Sequence, residues 1–188
     1  MTDSKFRFIQ MDSPRKGDLF DCCYVYSFFV EHKDRNKKII GRIKYIIRSE
    51  KYQDVFAIKF YASRDRKSIY DKYSLAHGQL SVKGIMTIFG YCLEVMREMS
   101  EKYPDCSFVI KGAESFDPKT KKEEDEYENQ RFRIYRNYLT KRVGEIKYLH
   151  TQYPFKSVYL LTYRQGIRNV EEKRDAQILM LFKKFGLL

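Results

Sequence analysis

Apolar and polar positions alternate along the N-terminal third of the chain, which is typical of β-strands. Three alternating segments are rich in β-branched and aromatic residues and predict strands: 24–32, 38–48 and 55–61. Short polar connections separate these segments, so we expect them to form an antiparallel meander. The stretch 6–11 (FRFIQM) also alternates and predicts an edge strand.

Helical spacing appears after residue 79. Apolar residues between Val82 and Tyr103 recur every three or four positions and Pro104 follows, so a helix is predicted over 80–103. Asn129 is a suitable cap for a second helix, predicted over 129–143. The remaining predicted elements are strands at 107–111, 146–152 and 157–163 and a terminal helix at 169–188.

These elements follow one another in the order β-β-β-α-β-α-β-β-α. Strands come first and helices follow, which favours an α+β fold: an antiparallel three-strand meander that continues into a mixed sheet, with helices packed on it. The 188 residues suit a single domain, 1–188. Residues 113–128 contain almost no apolar residues and include the run EEDE at 123–126, so we expect an exposed acidic loop there.

The charge of the chain is large and unevenly distributed. The formal net charge is +12, and residues 129–188 alone carry 13 Lys or Arg against 4 Asp or Glu. Such a charge favours encounters with anionic partners. The aromatic share of 16% is typical of a folded chain rather than a disordered one.

The sequence suggests a cytoplasmic protein. Four cysteines are present and no CxxC pair, which is typical of reduced thiols in a reducing compartment. The first residues lack the apolar region of a signal peptide, and no apolar run is long enough to span a membrane.

Motifs of common catalytic and cofactor sites are missing from the sequence. There is no GxxxxGK[ST], GxGxxG or GxSxG motif, and His32, His77 and His150 are far apart. Asp105 with Glu145 and Lys147 has the spacing of metal-dependent nucleases, a short pattern that arises easily by chance. We therefore expect no cofactor, no metal site and no catalytic residues, and the chain is more typical of a binding protein than of an enzyme.

A run of arginines and aromatic residues is the most suggestive feature of the sequence. Arginines can bind phosphates in bidentate fashion and aromatic rings can stack on unpaired bases. The predicted partner-binding residues are Arg131, Arg133, Arg136, Lys141 and Arg142 on the second helix and Arg64, Arg66 and Lys67 after the third strand. Two alternatives remain open: the arginines form only a solvated helix face, or they pair with the acidic loop before them, which then competes for the same surface.

The order of three meander strands, a helix, a strand and a helix resembles the core of GNAT-type N-acetyltransferases over residues 24–150. In that family the turn before the first core helix has the motif [RQ]xxGx[GA], and its amides hold the pyrophosphate of coenzyme A. The turn at 75–80 (LAHGQL) has the first glycine at Gly78, whereas Leu75 and Leu80 replace the other motif residues. Asn129 and Tyr138 fall on the later helix, where the family often has an Asn and a Tyr.

A second resemblance is to an uncharacterised family of small proteins common in Bacteroidetes genomes. It covers about residues 50–165 and rests on the segments DKYSL (71–75), SFVIKG (107–112) and RFRIY (131–135). That family has no assigned activity. Its members are often accessory genes, so the resemblance implies a role in toxin–antitoxin systems, phage defence or counter-defence.

Three functions are therefore expected, in order of preference. The first is a non-enzymatic protein that binds an anionic macromolecule, either nucleic acid or an acidic protein surface. The second is a GNAT-like acetyltransferase or a degenerate relative of one. The third is a homo-oligomeric interaction module in which the terminal helix 169–188 or the strand 6–11 pairs with another copy.

Overall fold

A seven-stranded mixed β-sheet organises the protein. The computed structural model describes residues 6–33, 38–75, 82–118 and 120–185. Within these ranges the sheet has the order β1-β2-β3-β4-β5-β9-β8, and β6 and β7 form a separate pair. The strands are β1 (Arg7–Asp12), β2 (Cys22–Lys33), β3 (Ile39–Tyr52), β4 (Val55–Ala62), β5 (Ser107–Lys111), β6 (Phe116–Asp117), β7 (Lys122–Glu123), β8 (Tyr148–Tyr153) and β9 (Val158–Tyr163).

The predicted α+β class and the order of elements are confirmed. Strands β1 to β4 form an antiparallel meander, and β4 then pairs with β5 in parallel. The helices are α1 (Val82–Lys102), α2 (Gln130–Arg142) and α3 (Val170–Phe185). Some boundaries differ from the predicted ones: β3 continues to Tyr52, and β8 begins only at Tyr148. The start of the first helix at residues 80–81 and the last three residues of the terminal helix lie outside the described residues.

Helices α1 and α2 pack on one face of the sheet and enclose an aromatic core. Alternate residues of the strands point to this face, among them Tyr26, Tyr45 and Tyr159, which are fully buried. From the helix side the core receives the apolar faces of α1 and α2, and α2 contributes Phe132, Tyr135 and Leu139. These three residues form the apolar face of α2.

Helix α3 packs on the opposite face, over β4, β5 and β9. Leu181 is its most buried apolar residue and contacts a second cluster with Val109 and Leu160. The C-terminal end of α3 reaches Tyr52 of β3, and none of the three described helices lines the polar cleft that lies beyond it on this face. None of them is long and apolar enough to cross a membrane.

A buried carboxylate marks the uncovered face. The side chain of Glu50 on β3 is only 7% exposed, and its oxygens accept hydrogen bonds from Tyr52, Arg48 and Lys59. The Lys59 Nζ to Glu50 Oε2 distance is 2.6 Å, and Arg48 also pairs with Asp12 at 3.4 Å. Burial alone would raise the pKa of Glu50, but Lys59, Tyr52 and Arg48 outweigh it and hold the pKa below its usual value.

Asn129 joins three elements at the C-terminal side of the sheet. Its side-chain oxygen accepts a hydrogen bond from the Phe132 amide at 2.9 Å and so caps α2, as predicted. Its side-chain nitrogen donates to the carbonyl of Gly112, just after β5, at 2.5 Å. Its own amide donates to Ser157 Oγ, before β9, at 3.0 Å. A Cβ at position 112 would lie 2.7 Å from the Phe132 amide nitrogen, so only glycine fits there.

The acidic segment 113–128 is expected to be an exposed loop. Within it β6 and β7 form a two-residue antiparallel pair, in which Phe116 lies opposite Glu123. Phe116 also bridges to Leu75, in the connection between β4 and α1. Glu126 binds Lys111 and Lys156, each at 3.2 Å, so the segment is attached to the sheet at its C-terminal end.

Replacing Asn129 with alanine should lower the free energy of unfolding by about 2–4 kcal/mol. Losing the cap costs about 1 kcal/mol, and leaving the Gly112 carbonyl without its buried donor costs roughly 1–3 kcal/mol. Urea denaturation monitored by circular dichroism measures this loss. Asn137→Ala, an exposed change on the same helix, is the control and should stay within about 0.5 kcal/mol of wild type. Equal midpoints for the two variants would contradict the role given to Asn129.

Glu50 should make the protein sensitive to acid. Because its pKa is lowered in the folded state, its contribution to stability is complete above the unfolded value of 4.5 and is lost as pH falls below it. Glu50→Gln should destabilise the protein by about 3 kcal/mol at neutral pH and remove this part of the acid dependence. Chemical denaturation at a series of pH values tests this, with the exposed Glu94→Gln as control. A wild-type acid profile in Glu50→Gln would show that other groups cause the transition.

Candidate functional site

The parallel strands β4 and β5 are paired over only three positions. Val55, Phe56 and Ala57 face Ser107, Phe108 and Val109, and beyond them the two strands have no paired residues. The other edge of β4 is paired with β3 along its whole length. We call the gap between residues 58–62 of β4 and the end of β5 the opening. It leaves backbone groups of β4 without a strand partner among the described residues.

Two cavities of about 260 Å³ each meet at the opening. The front cavity lies on the α3 side and is lined by Leu181, Phe182 and Phe185 together with charged residues such as Lys59 and Glu114. The back cavity lies on the α1 and α2 side. Both cavities are lined by the same four residues: Phe60, Tyr73, Arg131 and Tyr135.

Arg131 holds the rim of the opening in place. Its guanidinium group donates hydrogen bonds to the carbonyl oxygens of Tyr73 and Leu75, the latter at 3.0 Å. It therefore ties the connection after β4 to the first turn of α2. Tyr135, one turn further along α2, is buried, and burial raises the pKa of its hydroxyl.

Lys72 lies on the rim of the back cavity without a carboxylate partner within ion-pair distance among the described residues. Its ammonium group lies over the rings of Tyr61 at 4.5 Å and Tyr73 at 5.2 Å. Burial and then the Arg48 charge lower the pKa of Lys72, with a smaller contribution from Arg66, while Glu50 and Asp71 act in the opposite direction. The rim of the back cavity therefore carries a cation, Lys72, that would stabilise a bound anion.

Apart from Arg131, the predicted basic residues of α2 form two groups: one contacts Glu128 and the other lies at the C-terminal end of the helix. Arg133 donates to the Glu128 carbonyl oxygen at 2.5 Å, and Arg136 pairs with the Glu128 carboxylate at 2.6 Å. The pairing between the arginines and the acidic segment, one of the two alternatives, is therefore present. Lys141 and Arg142 are exposed at the other end of the helix, where Arg142 lies over the Tyr138 ring.

The second predicted basic group lies on a 3₁₀ turn directly after β4. Arg64, Arg66 and Lys67 are all exposed there, and Arg64 is 3.9 Å from the Asp65 carboxylate. The charges of Arg64 on the turn and of Arg131 on α2 both act to lower the pKa of the Tyr45 hydroxyl, so Tyr45 lies near both elements. That these residues and those of α2 contact a partner stays a prediction.

Sequence analysis did not identify Lys72, Tyr73 and the opening. These two residues lie in a polar stretch, 62–79, whose sequence has no periodicity and predicts no regular element. Lys72 and Tyr73 lie within the segment DKYSL, which is one of the segments quoted for the Bacteroidetes resemblance. The only signal was therefore the pattern of that segment, which carries no chemistry by itself.

His150, one of the three histidines considered for catalysis or metal binding, contacts a buried tyrosine. His150 Nδ1 lies 2.7 Å from the Tyr159 hydroxyl, and burial lowers the pKa of the imidazole. Over the described part of the chain, no group of three or more His, Cys, Asp or Glu residues could hold a metal ion. His77 and Gly78 lie outside the described residues.

The strand expected to pair with another copy is β1, at the edge of the sheet. Phe8, Ile9 and Met11 on it are between 42% and 55% exposed. Pairing between copies through β1 or α3 stays a prediction.

Comparison of the chain with protein-family models, with characterised proteins and with solved structures gave no match. The resemblances to GNAT-type enzymes and to the Bacteroidetes family therefore stay hypotheses.

The Arg136–Glu128 pair allows a direct test of the predicted partner-binding surface. Arg136→Glu should lower the free energy of unfolding by about 1 kcal/mol, because two carboxylates then face each other. The exchange Arg136→Glu with Glu128→Arg should restore stability at unchanged net charge. If Arg136 contacts a polyanion, the exchanged protein still binds heparin or RNA more weakly than wild type, with a smaller salt dependence. Binding equal to wild type would remove Arg136 from the contact surface.

Proposed function

We propose that this protein binds a coenzyme A thioester in the opening between β4 and β5, as a GNAT-like acyltransferase or a relative of one. The observation that carries the proposal is the short parallel pairing of β4 and β5, which ends at Ala57 and Val109. In open α/β sheets, crevices at the carboxyl ends of parallel strands are the usual sites for ligands. The order of the elements, on which the GNAT resemblance rests, supports the same assignment.

The chemistry of the opening suits the extended arm of coenzyme A. This arm contains two amide groups, which can pair with backbone groups of a strand edge, as added peptide strands do. The edge of β4 over residues 58–62 offers such groups. Aromatic rings of Phe60 and Tyr135 flank the opening and supply apolar contacts. The two cavities together have the size of an ordinary small-molecule site.

Charges at the two ends match the two ends of the ligand. Lys72 and Arg131 line the back cavity, where they favour the phosphates of the coenzyme. The acyl group would then face the front cavity. There Glu114, which is 3.8 Å from Lys111, is a carboxylate that could take the proton from an attacking ammonium group.

Thermal unfolding with acetyl-CoA tests the proposal. At a hundredfold excess over the dissociation constant, binding stabilises the folded protein by about 2.7 kcal/mol, or roughly 5–10 °C for a chain of this size. Ala113→Trp should abolish the shift, since Ala113 lines the front cavity and the indole ring would fill it. Ala176→Trp, an exposed change on α3, is the matched control and should keep the shift.

Two further measurements separate binding from catalysis. Release of free thiol in the presence of amine acceptors reports acyl transfer, and Glu114→Gln should abolish it while the thermal shift remains. Absence of a shift for wild type at millimolar acetyl-CoA would contradict the proposal as a whole. A shift that is the same in Ala113→Trp would place the ligand elsewhere.

Binding of an anionic macromolecule is the second candidate function. It is favoured by the exposed cluster of Arg64, Arg66 and Lys67 and by the net charge of +12. This function predicts a binding constant that falls steeply with salt concentration. Acetyl-CoA should not compete for this binding if the two ligands use separate surfaces.

A further inference from the structure

The uncovered face of the sheet contains a polar cleft that shares Tyr61, Lys72 and Tyr73 with the back cavity and is lined otherwise by different residues. Its volume is about 570 Å³, within the range of small-molecule sites. Its floor is formed by side chains of β1 to β4, and two connections form its walls: residues 13–20 on one side and residues 63–73 on the other. Aromatic and aliphatic side chains line part of these surfaces, among them Phe20, Val25 and Ile46.

The floor of the cleft is neutralised internally. Glu50 is paired with Arg48 and Lys59, and Arg48 is also paired with Asp12. The Arg48 guanidinium group lies 5.6 Å from the centre of the Phe20 ring, which fixes it further. These charges are therefore fixed to one another and leave no excess of either sign at the base of the cleft.

Three further cations of the cleft have no such partners. Five basic residues and three carboxylates line the cleft as a whole. For Lys44, Arg66 and Lys72, no carboxylate of the described residues lies within 4 Å. Lys72 contacts the rings of Tyr61 and Tyr73 instead. Three like charges around one concave surface repel each other, and an anion bound between them would remove this repulsion.

We propose that this cleft binds the phosphate groups of a small molecule of about nucleotide size, with Arg66, Lys72 and Lys44 as its contacts. Arginine and lysine are the usual ligands of phosphate in proteins. The apolar wall at Phe20, Val25 and Ile46 suits the remainder of such a molecule better than a bare ion. The proposal does not depend on the proposed function, because Lys44 and Arg66 line the cleft but neither of the two cavities at the opening.

Isothermal titration with pyrophosphate and with ADP tests the proposal on the full-length protein. Lys44→Gln with Arg66→Gln should weaken the binding of both by about tenfold or more, because two charge-assisted contacts are lost. Lys83→Gln with Arg168→Gln removes the same charge from exposed positions outside the cleft and should bind as wild type. Lys44→Gln with Arg66→Gln should keep the thermal shift with acetyl-CoA, because neither residue lines a cavity at the opening, and this result separates the cleft from the opening.

A chemical label provides a second test that needs no variant. Pyridoxal 5′-phosphate combines a phosphate with an aldehyde that condenses with an amine and releases water, and borohydride then reduces the imine to a stable adduct. We expect Lys72 to be labelled before the exposed Lys83, and ADP to protect Lys72. Equal labelling of both lysines, or equal ADP binding by the cleft variant and wild type, would overturn the proposal. Binding of long RNA without binding of ADP or pyrophosphate would overturn it as well.

Discussion

The hydrogen bonds of Asn129 are the constraint on which the C-terminal half of the structure depends. The side-chain amide of this buried residue binds the end of β5 and the start of α2, and its backbone amide binds the turn before β9. Since these groups are shielded from water, each bond would be expensive to leave unmade. Together they fix the direction in which the chain leaves β5. The chain therefore turns away from β4 at Gly112, and the sheet remains open beyond Ala57.

The net charge of the chain is a poor guide to the charge that its surface presents, because many of its cations are bound to other groups of the protein. Arg131 holds backbone carbonyls, Arg136 binds Glu128, and Arg48 lies between two carboxylates. Lys44, Arg66 and Lys72 have no carboxylate within 4 Å among the described residues, and all three line the cleft. The net charge counted from the sequence includes the cations bound within the protein and those without a carboxylate partner. An anionic ligand interacts mainly with the latter.

Local patterns predicted the elements well, because each depends on residues near in sequence. The helical spacing from Val82 onward and the alternation in β2 to β4 are examples. The position of β9 between β5 and β8 depends on long-range pairing, for which the sequence contains no local signal. Glu50 lies beyond the predicted end of the strand 38–48, and its burial depends on Lys59, which only the pairing of β3 with β4 brings close to it. Lys72 and Tyr73 lie in a segment without periodicity, so only the folded chain shows what they contact.

The position of β5 in the sheet has a consequence for the order in which the chain folds. Strands β1 to β4 can assemble through connections between consecutive strands, as soon as they leave the ribosome. Strand β5 must instead find Val55 across the whole of α1, and β9 must then insert beside it, since Phe108 pairs with Leu161. Contacts so distant in sequence form slowly. During synthesis the edge of β4 therefore stays exposed until β5 has been made. Because an unpaired strand edge is prone to aggregation, this is the interval in which a nascent chain most needs a chaperone.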